Sequence, residues 1–209
     1  MTPNPHANPL PNILTGLRLI AGIVMFLILA GAAPQGIPLL SQYLSPDDQF
    51  RLGRNAFIIF VIAASTDWVD GFLARRWGAT TRWGAILDPI ADKVLITGAI
   101  LGVLAWGSVP QAAIPCGLIL FREFAVSALR ETVAGSVKLP VTLLAKWKTT
   151  LQMVALGALQ LVLLWDGFGF SLDWLNAFST FAYGLVWVAA VITVWTGVQY
   201  FREARRQMG

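Results

Sequence analysis

The chain has 209 residues, of which 56% are hydrophobic and 12% charged, with a net charge of +4. Soluble domains carry about 25% charged residues, so half that level, with nine Trp and a mean hydropathy of +0.67, excludes an ordinary water-soluble globule and indicates one integral membrane domain over 1–209. The small positive balance, with no long basic run, excludes a nucleic-acid groove and suits anionic lipid surfaces.

A spanning helix takes about 20 apolar residues. Segments of about that length lie at 13–31, 52–73, 85–106, 110–129, 141–165 and 175–201. The Pro/Asn-rich start, 1–10, lacks the basic region and cleavage site of a signal peptide and reads as a disordered or interfacial tail. Its His6 carries no expected role. The stretch 34–50 reads as an outer loop. The single cysteine, Cys116, lies in an apolar run and reads as a small buried residue.

Lys and Arg alternate from loop to loop. Arg75, Arg76 and Arg82 follow the second segment, Arg130, Lys138, Lys146 and Lys148 surround the fourth connection, and Arg202, Arg205 and Arg206 close the chain. The connections after the third and fifth segments have no Lys or Arg. Arg51 and Arg54 on the outer side are a mild exception. By the positive-inside rule, the fold class is an all-α integral membrane protein with six transmembrane helices and both termini cytoplasmic. Trp77, Trp83, Trp106, Trp165 and Trp174 fit an interfacial belt.

Four of the eleven acidic residues, Asp67, Asp70, Asp88 and Asp92, fall within positions 67–92. Asp67 and Asp70 are three apart and Asp88 and Asp92 four apart, so each pair shares a helix face. Carboxylates crowded at a membrane edge repel one another and resist desolvation. Three remedies are open: protonation, ion pairs with Arg75, Arg76, Arg82 and Lys93, or bound cations. Two divalent cations cancel four carboxylates, and an all-oxygen donor set suits hard ions such as Mg²⁺, Mn²⁺ or Ca²⁺. Such a pair clamps phosphoryl oxygens. Gly71, Ala74 and Gly84 keep the helix surface low for a bulky ligand, although small residues at this spacing also let helices pack closely. Arg75 offers a forked donor to phosphate.

The pattern Asp67-x-x-Asp70-Gly71-x-x-Ala74-Arg75, eight residues, Gly84-x-x-x-Asp88-x-x-x-Asp92 resembles the signature of the CDP-alcohol phosphatidyltransferases. Four further stretches, "PNILTGLRLIAG", "ILDPIADKVLI", "REFAVSALRE" and "AKWKTTLQMVAL", are similar to the bacterial phosphatidylglycerophosphate synthases of that family. The resemblance spans about 10–160. It implies a six-helix membrane fold in the bacterial inner (cytoplasmic) membrane, a homodimer, and a site facing the cytoplasm. It also implies transfer of the phosphatidyl group from CDP-diacylglycerol to glycerol 3-phosphate, with release of CMP. Asp67, Asp70, Asp88 and Asp92 would hold two divalent cations, Mg²⁺ or Mn²⁺, and Asp92 would also be the base for the acceptor hydroxyl. Gly71, Ala74, Arg75, Thr81 and Gly84 would contact the CDP-lipid, with Asn12 and Thr15 closing over the nucleotide.

The phosphate of the acceptor needs cations. Arg122, Arg130, Lys146 and Lys148 are the candidates, with Arg18 and Arg202 further out. Arg122 stands inside an apolar stretch, where an arginine faces a cavity or a partner, and Glu123 beside it can hold it in place. Two rival readings remain from sequence. One is the same family with serine, inositol phosphate or phosphatidylglycerol as acceptor. The other is an ion or proton transporter using the Asp cluster, against which no acidic residue but Glu123 continues a path through the other spans.

Overall fold

A computed structural model of the chain describes residues 10–34, 43–77, 82–132 and 143–208; the side chains of 10–11, 67–77, 82–83, 85, 143–146 and 208 lie outside the description. Six α-helices account for almost all of these residues, and there is no strand among them: α1 Leu10–Ala32, α2 Pro46–Trp77, α3 Arg82–Trp106, α4 Ala113–Thr132, α5 Leu143–Leu163 and α6 Leu172–Met208. Short 3₁₀ turns precede α4 at Pro110–Ala112 and α6 at Asp166–Phe168.

The apolar segments read from sequence correspond one to one with these helices, and the ends differ for local reasons. α2 starts at Pro46, inside the expected outer loop. Ser45 caps it: its hydroxyl accepts from the Asp48 N–H at 3.2 Å and donates to the Asp48 carboxylate at 2.7 Å. That hydroxyl holds the exposed Asp48 carboxyl below its ordinary range. Arg51 lies 3.9 Å from Asp48, which offsets one of the two basic residues near the start of α2. α6 runs on to Met208, with Gln207 donating to Glu203 one turn earlier at 2.6 Å.

Among the described residues, three helices are long and apolar enough to cross a membrane: Asn12–Ala32, Pro110–Thr132 and Leu172–Gln207. Their large apolar side chains point outward, as at Leu17, Leu27, Phe121, Val191 and Trp195. Polar and charged groups are turned inward instead: Thr15, Arg18, Arg122, Lys148, Gln152 and Thr193 are all buried. A soluble protein shows the reverse. In the other three helices, charge occupies one or both ends, leaving uncharged stretches of 55–66, 94–106 and 149–163.

The chain divides into two compact units, Met1–Ser108 and Val109–Gly209. In the first, α1 packs along both α2 and α3. In the second, α6 packs along both α4 and α5. The crossing of α1 and α3 is close because it is built on glycine. A Cβ on Gly98 would sit 3.0 Å from the Gly22 carbonyl oxygen, and one on Gly22 would sit 3.2 Å from the Leu95 backbone. Small residues four apart allow this approach between membrane helices. Gly98→Val is therefore expected to destabilise the first unit by about 1–3 kcal/mol through overpacking, read as a lowered melting temperature in detergent; an unchanged melt would contradict the close crossing.

Two tryptophans expected in the interfacial belt are buried. Trp106 is 8% and Trp165 7% exposed, whereas Trp174 is 68% exposed. Gly169, at φ +69°, turns the connection back over Trp165. The indole then donates to the Ser171 carbonyl at 3.1 Å and packs on Phe170 and Phe178. Trp77 and Trp83 lie outside the described side chains. Cys116 is buried, as its apolar surroundings in sequence suggested.

Candidate active site

The second acidic pair sits on the first turns of α3, facing α1. Thr15 Oγ1 donates to Asp88 Oδ1. One turn further along both helices, Arg18 Nη1 donates to Asp92 Oδ1 at 3.1 Å. The register then continues upward from Gly22 at Leu95 and Gly98 to Leu29 at Gly102. Residue numbers rise together on both helices, so α1 and α3 run parallel. Thr15 and Arg18 are three apart and Asp88 and Asp92 four apart; each pair therefore occupies one face of its helix, and the two faces meet.

Burial differs across the ion pair. The Arg18 side chain has no exposure and the Asp92 side chain is 29% exposed. The guanidinium is thus the buried pole and the carboxylate the pole that reaches solvent. Asp88 is exposed and Gly84, one turn before it, is buried. A carboxylate with one oxygen braced by a hydroxyl or guanidinium and an open side toward solvent suits oxygen ligation of a hard cation. Asp88 and Asp92 are two such carboxylates, and among the described residues no three acidic, thiol or imidazole side chains converge. Asp67, Asp70, Gly71, Ala74 and Arg75 are on the last three turns of α2, and Thr81 follows it; their side chains lie outside the described residues. Asn12, on α1 one turn before Thr15, is half-buried.

The second unit holds a separate charged cluster. Arg122 on α4 donates to Glu123 Oε1 at 3.3 Å and to Thr196 Oγ1 on α6 at 3.1 Å. Lys148 on α5 donates to the same Glu123 oxygen. Gln152, one turn along α5, donates to that oxygen at 3.3 Å and to Thr193 Oγ1 at 2.8 Å. Gly197 makes room for Arg122, since a Cβ there would lie 2.9 Å from its Cγ. Two turns along α4, Arg130 donates to the Tyr200 hydroxyl at 2.9 Å. The Tyr200 ring lies between two cations, 4.9 Å from the Arg130 guanidinium and 5.8 Å from that of Arg122.

The structure thus joins Arg122 and Lys148 through Glu123 and sets Arg130 on Tyr200. Lys146 is on α5, one residue before the first described side chain of that helix. Arg202 lines an apolar cavity of about 350 Å³ between α4 and α6, together with Arg122, Phe121 and Val198. Sequence reading passed over Gln152, Thr193, Thr196 and Tyr200. Their signal was present as polar side chains inside apolar helices, with 193, 196 and 200 on one face of α6. Thr15 and Arg18, which the sequence offers as ligand contacts, have the Asp88 and Asp92 carboxylates as described partners.

The family model for CDP-alcohol phosphatidyltransferase matches residues 8–195. The chain is 40% identical to the CDP-diacylglycerol–glycerol-3-phosphate 3-phosphatidyltransferase of Haemophilus influenzae, over 71% of this chain and 76% of that protein. The protein of the same name from Escherichia coli K12 is 42% identical over 73% of this chain and 80% of its own length. That from Cereibacter sphaeroides is 36% identical over 93% and 95%. The chain therefore belongs to the CDP-alcohol phosphatidyltransferase family.

Proposed function

We infer that this protein transfers the phosphatidyl group of CDP-diacylglycerol to glycerol 3-phosphate, giving phosphatidylglycerophosphate and CMP. The observation that carries the reading is the pairing of Asp88 and Asp92 with Thr15 and Arg18, which fixes half of the acidic signature at the starts of two parallel helices. The relatives named for this reaction support the choice of both substrates.

Asp67, Asp70, Asp88 and Asp92 would hold two divalent cations, Mg²⁺ or Mn²⁺. When bound, these neutralise charge on the pyrophosphate and on the departing CMP. The remaining work belongs to side chains. Gly71, Ala74, Arg75, Thr81 and Gly84 hold the CDP-lipid, with Asn12 near the nucleotide. Asp92 takes the proton of the acceptor hydroxyl as its oxygen attacks the phosphorus next to the diacylglycerol. The bond to CMP breaks, and CMP leaves with the electron pair. Arg122, Lys148, Arg130 and Lys146 neutralise the acceptor phosphate. Arg122 and Lys148 are supported as a pair by their shared contact with Glu123.

Each unit also supports alternating spans. α1 and α3 run parallel, so α2 must return between them. Arg122 meets Thr196 and Arg130 meets Tyr200, so α4 and α6 run parallel, with α5 returning. Six spans with both termini in the cytoplasm satisfy these directions and the loop charges. In the first unit the acidic pair then lies at the cytoplasmic starts of α1 and α3. The expected setting is the inner membrane of a bacterium, with the protein as a homodimer.

Purified protein with Mg²⁺ or Mn²⁺ is expected to release CMP from CDP-diacylglycerol when glycerol 3-phosphate is added, and chelation with EDTA is expected to stop it. Release only with serine, inositol phosphate or phosphatidylglycerol would move the assignment to another acceptor. No release with any alcohol, together with ion flux in sealed vesicles, would favour a transporter.

A further inference from the structure

The buried cations of the second unit share one carboxylate oxygen. Glu123 Oε1 accepts from Lys148, from Arg122 at 3.3 Å and from Gln152 at 3.3 Å. The side chains of Arg122, Lys148 and Glu123 are 8%, 7% and 14% exposed. Two cations against one carboxylate leave one positive charge in excess in a weakly screening interior, which is unfavourable until an anion joins it. Donors are also left over. Among the described residues the buried Arg122 Nε–H has no hydrogen-bond partner, and the Lys148 ammonium has three N–H groups with Glu123 as its described acceptor. A phosphomonoester meets both needs: it brings the missing negative charge and oxygens that accept from a guanidinium and an ammonium.

We propose that Glu123 is a positioning residue for the phosphate of the acceptor, acting through Arg122 and Lys148. It draws a cation from α4 and a cation from α5 around one oxygen atom. Without it, the two heads repel each other and lose their common orientation. The remaining excess charge favours a phosphorylated acceptor over a neutral alcohol. Gln152 extends the brace to α6 through Thr193 at 2.8 Å, so the cations are set by all three helices of the unit. The proposal rests on glycerol 3-phosphate being the acceptor.

The test is steady-state CMP release by the full chain in detergent, varying each substrate at saturating levels of the other. Wild-type protein must first respond to glycerol 3-phosphate; a response only to an unphosphorylated alcohol overturns the acceptor reading and this proposal with it. Given that response, Glu123→Gln is expected to raise KM for glycerol 3-phosphate by about ten- to a hundredfold, with KM for CDP-diacylglycerol within about twofold. Glu123→Asp, which keeps the charge, is expected to recover part of the loss. Equal rises in both KM values, or a fall in kcat alone, would show a general structural role and overturn the proposal. Should Glu123→Gln fail to fold, Lys148→Met and the double variant Glu123→Gln/Lys148→Met decide the matter, because the double variant restores the wild-type net charge of the cluster. The double variant is expected to exceed the KM of Lys148→Met by less than about threefold, since the repulsion between the two cationic heads that Glu123 offsets is already gone with the lysine; a larger rise would overturn the proposal.

Discussion

Asp92→Asn is expected to reduce glycerol 3-phosphate-dependent CMP release by roughly 10²–10⁴-fold, the range that a positioned acid or base contributes. Asparagine cannot take the hydroxyl proton, and it is a poorer partner for a cation. It does keep an oxygen at the position that accepts from Arg18 at 3.1 Å. The α1–α3 contact therefore survives, and the melting temperature in detergent is expected to fall by no more than about 2–4 °C. Near-wild-type turnover would remove Asp92 from the role of base. A collapse of stability would mean that the charge of Asp92, not its oxygen, is what holds Arg18.

The second large effect is an asymmetry between the two poles of that pair. Arg18 has no side-chain exposure and Asp92 has 29%. Asp92→Leu removes a carboxylate acceptor from a guanidinium that has no exposure, and breaking a buried pair of this kind costs up to about 3–5 kcal/mol. Arg18→Met leaves a carboxylate that already reaches water, and replaces the long arginine stem with a side chain of similar shape. Its cost is expected near about 1–2 kcal/mol, the scale of one lost charged hydrogen bond. Thermal melts of the purified variants should therefore rank Asp92→Leu below Arg18→Met, and failure of Asp92→Leu to accumulate in the membrane counts as the larger loss. Arg18→Met is also expected to lower turnover by about tenfold, because Asp92 loses one of the contacts that orient it. The opposite stability order would mean that Arg18 is not the buried pole.

Both effects depend on a contact between residues 74 positions apart, and this explains what the sequence could and could not reveal. The acidic signature is local. Its residue types and spacing within 67–92 carry the family resemblance without any knowledge of packing. The apolar segments are also local, because hydrophobic length is a property of a single helix, and all six correspond to helices in the structure. Helix ends were less legible at Pro46 and Met208, where Ser45 and the Glu203–Gln207 contact extend helices beyond their apolar cores. The Trp belt misled at Trp106 and Trp165, since a position near a segment end does not reveal whether a turn folds back over it.

The sequence by itself determined the membrane class, the helical elements, the acidic signature and the set of cationic candidates, because each is written in composition or in spacing along one helix. Only the tertiary structure decided which side chains meet. The glycine crossing of α1 and α3 brings Thr15 to Asp88 and Arg18 to Asp92. The packing of α4 and α5 on α6 gathers Arg122, Lys148 and Gln152 around Glu123. A partner in a low-dielectric interior is chosen by which helix faces touch, and that choice is made by close packing between distant segments.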